Sequence, residues 1–244
     1  VTTDTLIQAA YFVAAILFIF GLKRMSSPVT ARGGIVWAGA GMVVATLVTF
    51  LWPGMTNYIL MIVAIFIGGV LAWVSGKRVA MTNMPQMIAL YNGMGGGSAA
   101  AIAAVELLKH AGHTQTVQII AVAGALIGTV AFSGSLIAFA KLQGILRKTW
   151  NFPAQQIFNL VVFAVALILG ALVAFTHDYS NAVLLGFFVV AFVFGILMTL
   201  PIGGADMPVV ISLYNALTGV AVGLEGFVLN NPAMMIAGTV VGSA

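Results

Sequence analysis

The sequence predicts an all-α fold, a polytopic transmembrane bundle of nine helices. Three observations predict it. Hydrophobic residues fill 62% of the 244 positions and charged residues only 6%, whereas a soluble domain carries about 25% charged residues. Apolar runs of about 20 residues, the length that crosses a bilayer core, follow one another along the chain. The connections are short and hold turn residues: Ser26-Ser27-Pro28, Trp52-Pro53-Gly54, Asn151-Phe152-Pro153 and Asn230-Asn231-Pro232.

Taken in order, the first run covers about Thr5–Leu22 and ends at Lys23-Arg24. The first run is as long as a span and no small-residue cleavage motif follows it, so it reads as a helix and not as a signal peptide. The second covers about Gly34–Trp52 and stops at Pro53-Gly54. The third, about Asn57–Ser75, ends at Gly76-Lys77-Arg78. The fourth and fifth cover about Met84–Leu108 and Thr116–Ala140, with Lys141 closing the fifth. The sixth to eighth cover about Ala154–Thr176, Asn181–Leu200 and Met207–Leu229. The ninth starts near Pro232 and is still apolar at Ala244. No internal stretch is polar enough to form a soluble domain, so residues 1–244 are expected to be one transmembrane domain.

Charge sets the orientation. In a nine-span arrangement Lys23, Arg24, Arg32, Lys77, Arg78, Lys141, Arg147 and Lys148 share one side, and Lys109 alone lies opposite. Cytoplasmic loops carry the excess of Lys and Arg. The N-terminus is therefore expected outside and the C-terminus in the cytoplasm, or the matrix of a mitochondrion. His110, His113 and His177 then fall in outer connections. The net charge of +4 arises from these flanking cations and argues against nucleic acid as a partner. The chain has no cysteine, which excludes disulfides and thiolate metal sites.

One stretch occurs twice. Met84-Pro85-Gln86-Met87-Ile88-Ala89-Leu90-Tyr91-Asn92 returns as Met207-Pro208-Val209-Val210-Ile211-Ser212-Leu213-Tyr214-Asn215. Asn83 and Asp206 precede the copies and read as N-caps, with proline in the first turn. Ala123-Gly124-Ala125-Leu126-Ile127-Gly128-Thr129 likewise parallels Ala237-Gly238-Thr239-Val240-Val241-Gly242-Ser243. The fourth and fifth helices thus resemble the eighth and ninth in a parallel repeat, with halves near 83–141 and 206–244. By that comparison the last helix is expected to continue about ten residues beyond Ala244 toward the cytoplasm.

Each copy carries an asparagine inside an apolar run, where an unpartnered amide is costly. At 100° per residue, Ser212, Asn215, Thr218 and Glu225 fall within an arc of about 140°, a polar stripe from mid-membrane toward the outside. Asp206 lies about 13 Å from Asn215 along the axis, on the opposite face, at the inner mouth. Asn92 and Glu106 share a face about 21 Å apart. The functional reading is a hydrated track for a proton or small ion; the bland one is interhelical hydrogen bonding. Glu225 could instead snorkel to water, and Glu106 reads as a solvated helix end. Ser133 reads as back-bonding to a helical carbonyl. Gly93-Met94-Gly95-Gly96-Gly97-Ser98 is not a dinucleotide fingerprint, since it follows no strand and lacks the third glycine. Gly93 and Gly97, like Gly219 and Gly223, have small-xxx-small packing spacing. No His/Glu spacing suggests a metal site and no catalytic triad is visible.

Asn83–Asn92, Gly134-Ser135-Leu136-Ile137-Ala138-Phe139-Ala140-Lys141-Leu142-Gln143-Gly144 and Asp206–Asn215 together resemble the membrane-spanning part (domain II) of the beta subunit of proton-translocating NAD(P) transhydrogenase. The resemblance covers the whole chain. It implies a subunit that continues into a soluble NADP(H)-binding domain, beside an alpha subunit with an NAD(H)-binding domain and further helices. It implies an oxidoreductase and translocase of the bacterial inner membrane, in which hydride passes between NAD(H) and NADP(H) while one proton crosses, and a homodimer of the complex. This fragment would bind neither nucleotide and would hold the proton path, not the hydride-transfer site. Residue by residue, the family's helix-eight asparagine falls on Asn215, its inner acidic residue on Asp206 and its helix-five serine on Ser135. Asp206, Arg147 and Lys148 would couple the path to the soluble domain. Many members have a histidine where Asn92 stands, and an amide does not titrate. Either Glu225 takes over or a partner helix supplies a histidine. The partner is favoured, because histidine titrates near neutrality and Glu225 lies far toward one side. Two other readings remain: a secondary transporter with parallel repeats binding a small solute at mid-membrane, and a purely structural anchor.

Overall fold

A computed structural model of the chain describes residues 3–109, 114–176 and 178–243. His110, His113 and His177 lie outside the described residues. All regular structure among the described residues is helical. The nine α-helices are α1 (Thr3–Met25), α2 (Ala31–Thr49), α3 (Tyr58–Arg78), α4 (Met84–Leu108), α5 (Gln115–Leu142), α6 (Gln155–Phe175), α7 (Asn181–Thr199), α8 (Met207–Val228) and α9 (Pro232–Ser243). The first eight are long and apolar enough to cross a membrane; α9 is described over 12 residues. The chain is an integral membrane protein.

Helix ends follow local chemistry. α2 stops at Thr49, earlier than hydropathy alone predicts. The N–H groups of Phe50, Leu51 and Trp52 turn to carbonyls three residues back, and Gly54 adopts φ +78°. α2 also starts earlier, because Arg32 sits within its first turn with a stem that can reach the polar surface. α5 ends in a Schellman turn: Gly144, at φ +75°, donates to Lys141 O, and Ile145 N donates to Ala140 O. Asn83 and Asp206 do precede α4 and α8, with Pro85 and Pro208 in the first turns. Neither side chain makes the expected capping bond. A short 3₁₀ turn, Met81–Asn83 or Gly204–Asp206, leads the chain in, and both cap residues have near-helical backbone in place of the extended geometry that aims a cap side chain.

The contacts divide the chain into two compact units, residues 1–82 and 83–244. In the first, α1 and α2 form a close hairpin. A Cβ on Gly21 would lie 2.9 Å from Gly34 O, and one on Gly41 would lie 3.0 Å from Ala14 O. Tyr11 Oη and Thr49 Oγ1 hydrogen-bond at 2.8 Å, so a buried phenol is satisfied within the hairpin. α3 buries none of its residues.

The second unit is built around α5, which packs against α4, α6, α7 and α8. Its buried face is mostly small: Ala121, Gly124, Ala125, Gly128, Ala131, Gly134 and Ala138. In lipid, helices associate through close van der Waals contact, which small residues permit. The closest approach of α4 and α5 is at Gly96 and Gly128, where a Cβ on Gly128 would lie 2.8 Å from Gly96 O. α8 and α9 meet in the same way, with Gly219 against Gly238 and Gly242, and Gly223 against Gly238. Gly96 and Gly128 stand to their pair as Gly219 and Gly242 stand to theirs, so the repeat seen in sequence is a repeat of packing. Gly128→Leu is expected to destabilise this unit by about 3 kcal/mol through overpacking. Thermal melting of the detergent-solubilised protein would measure it, and an unchanged midpoint would refute the close α4–α5 crossing.

Candidate functional site

The polar residues of the second unit gather where α4, α5 and α8 meet. Asn92 is half-buried, and its amide Nδ2 donates to Ser135 Oγ at 3.2 Å. Ser135 is buried. Thr218 Oγ1 donates to Asn92 O at 3.4 Å. Glycines admit these contacts: a Cβ on Gly93 would lie 3.0 Å from Ser135 Cβ, and one on Gly95 would lie 3.1 Å from Thr218 Cγ2. The triad of Asn92, Ser135 and Thr218 thus links three helices.

The stripe expected on α8 is divided. Thr218 and Glu225 are buried, whereas Ser212 and Asn215 are exposed on the surface of the unit. Ser212 and Asn215 therefore present a hydroxyl and an amide outward from an otherwise apolar helix. Glu225 has 0% exposure, and neither of its carboxylate oxygens has a hydrogen-bond partner among the described residues. It sits against α5 at Gly124, where any Cβ would collide with its Oε1. Snorkelling is not what Glu225 does. Glu106 is ion-paired with Lys109 at 2.6 Å, consistent with a helix-end role. Ser133 back-bonds to Val130 O at 3.4 Å.

A Cβ on Gly97 would lie 3.0 Å from the Phe132 ring, and one on Gly96 would lie 3.0 Å from Gly128 O. The glycine run of α4 is thus occupied by helix packing and offers no cradle for a pyrophosphate, so the residues present do not fit a dinucleotide. Among the described residues no group of acidic or histidine side chains could hold a metal ion. A groove of about 660 Å³ lies along α4, α5 and α7, lined by residues such as Ala101, Ala104, Phe132, Phe188 and Phe192. It is apolar and separate from the polar triad.

Sequence reasoning missed three features. Tyr214 is fully buried, stacks its ring over Gly134 and hydrogen-bonds Thr199 Oγ1 at 2.5 Å, tying α8 to α7. It belongs to the repeated motif, yet its counterpart Tyr91 is exposed, and the motif does not distinguish the two. Lys141 is buried and donates from Nζ to Leu200 O and Ile202 O, each at 2.5 Å. The chain reverses there, from α7 into α8, and a terminal lysine reads from sequence as a solvated flank. In the connection from α6 to α7, Tyr179 donates to Leu107 O at 2.5 Å, and burial pushes its phenol above the usual tyrosine range.

The family description NAD(P) transhydrogenase beta subunit matches residues 7–244. The chain belongs to that family. The NAD(P) transhydrogenase subunit beta of Rhodospirillum rubrum is 39% identical over 255 residues, covering 99% of this chain and 54% of the relative. The protein of the same name from a designated strain of that species matches equally. The chain thus spans about half the length of the curated relatives it matches. Membership therefore rests on this membrane-spanning segment of the beta subunit. Both repeat helices of the beta subunit, α4 and α8, run unbroken, which does not favour the Gly/Pro-broken helices expected of a secondary transporter.

Proposed function

We propose that this membrane domain carries the proton path of a proton-translocating transhydrogenase, in a bacterial inner membrane. The observation that carries this reading is the hydrogen-bonded meeting of Asn92, Ser135 and Thr218 at the α4–α5–α8 junction. Polar groups inside a membrane bundle mark ion and proton pathways. None of the three titrates near neutrality, so they orient water or a relay group and do not themselves carry the proton.

Two carriers fit around them. Ser212 and Asn215 face outward, and a polar pair on a lipid-depth surface calls for a polar neighbour. A helix of the alpha subunit bearing a histidine would satisfy that need and supply a group that titrates near neutrality. Glu225 offers a second carboxyl stop toward the outer end. With the N-terminus outside and the C-terminus inside, Asp206, Arg147 and Lys148 lie at the inner face. There they would transmit occupancy of the path to an NADP(H)-binding domain following this segment, with NADP(H) affinity and proton binding changing each other reciprocally. An NAD(H)-binding domain on the alpha subunit would complete the hydride transfer, in a complex that pairs as a homodimer. Residues 1–244 would then act as one transmembrane domain of that complex.

The test uses the complete complex in sealed vesicles. Hydride transfer from NADPH to an NAD analogue should change luminal pH, and a protonophore should speed turnover. Hydride transfer with no pH change would end this reading.

A further inference from the structure

At the junction of α5 with the start of α8, a cavity of about 200 Å³ is lined by Lys141, Arg147, Lys148, Thr149 and Gly204, among others. Its wall is built, not loosely draped. Lys141 has 8% exposure, and its ammonium is fixed by the carbonyls of Leu200 and Ile202. Arg147 Nε donates to Gly144 O at 3.2 Å, which holds the guanidinium to the Schellman turn that closes α5. None of the three cations is ion-paired to a carboxylate among the described residues. Asp206, two residues beyond the lining residue Gly204, makes no such pair either. A buried ammonium bonded only to neutral carbonyls leaves its charge uncompensated, and buried charge is stable when paired.

The segment around the cavity is interfacial. Ile145 is 66% exposed, Trp150 64% and Phe152 42%, and these flank Arg147-Lys148 in the connection from α5 to α6. Tryptophan is enriched at the membrane–water boundary, and basic pockets between spans on the inner side bind anionic headgroups. We propose that this cavity binds the phosphate of an anionic phospholipid, with Lys141, Arg147 and Lys148 on the phosphate oxygens. Ile145 and Trp150 lie along the acyl chains. The cavity has room for a phosphodiester and not for a nucleotide. This inference rests on the membrane placement of the chain; it shares Arg147 and Lys148 with the coupling role proposed above, and its test reads binding without turnover.

The test is thermal melting of the full complex in detergent, titrated with short-chain phosphatidylglycerol, short-chain phosphatidylcholine or inorganic phosphate. Phosphatidylglycerol should raise the midpoint by several degrees at concentrations where phosphatidylcholine does not. Arg147→Ala/Lys148→Ala should weaken that response at least tenfold, and Lys141→Gln should do the same if it folds. An equal response to inorganic phosphate at equal concentration would overturn the lipid source. An undiminished response in the double variant would overturn the site. So would the absence of any response to phosphatidylglycerol.

Discussion

Asn215→Leu is expected to reduce proton-coupled turnover in reconstituted vesicles by at least about tenfold, a loss of about 1.4 kcal/mol in transition-state stabilisation, while assembly and nucleotide binding persist. The side chain is exposed on α8, so leucine meets no packed neighbour within this subunit and causes no overpacking. What it removes is an amide offered to whatever lies against that face. The leucine variant separates two explanations that the wild type does not. If Asn215 is a hydrogen-bonding staple between subunits, the complex falls apart and nucleotide binding is lost along with pumping. If it positions a proton carrier, the complex stays whole and only the coupled reaction fails. Undiminished pumping would remove Asn215 from the path.

Glu225→Gln and Glu225→Leu should leave the bundle as stable as the wild type or more so, while reducing proton translocation. The side chain is fully buried and its carboxylate oxygens lack partners. A buried carboxyl without partners carries an uncompensated desolvation cost; even buried ion pairs are often replaced by apolar residues of similar volume with no loss, or with a gain of about 1–4 kcal/mol. A residue that costs stability where it stands is held there by function or by a partner. Melting temperature and vesicle pumping, measured on the same variants, decide which. A drop of several kcal/mol in stability would show that another subunit hydrogen-bonds the carboxyl. Unaltered pumping with raised stability would leave Glu225 without a role in translocation.

Much of the fold was legible because the bilayer imposes one requirement, that backbone groups be satisfied within each span. Length and hydropathy placed α4 over Met84–Leu108, where the structure has it. The ends of α1 and α2 were less legible, since arginine and lysine stems extend helices past the apolar run while Pro53-Gly54 shortens them. The site was legible in its residue types and only partly in its geometry. A helical wheel gives angles along α8 but not where neighbouring helices lie. Thr218 and Asn215 are about 60° apart on that wheel, and the edge of the packed face runs between them. Asn92 and Ser135 were each singled out separately; their hydrogen bond depends on the Gly96–Gly128 crossing, a distance no spacing rule reveals. Around Lys141 the sequence shows only a terminal charge, because nothing local shows that the α7–α8 connection folds back to meet it.

The Gly96–Gly128 and Gly219–Gly242 contacts are one joint built twice, and that bears on ancestry. A duplicated helical hairpin frees each copy to drift as long as the joint survives. Here the copies have parted. Tyr214 is turned inward while Tyr91 faces out, and Asn92 is tied to its neighbour while Asn215 is left open. The duplicate positions are therefore an internal control: the same substitution made at both members of a pair asks which half kept the inherited task and which was given a new one.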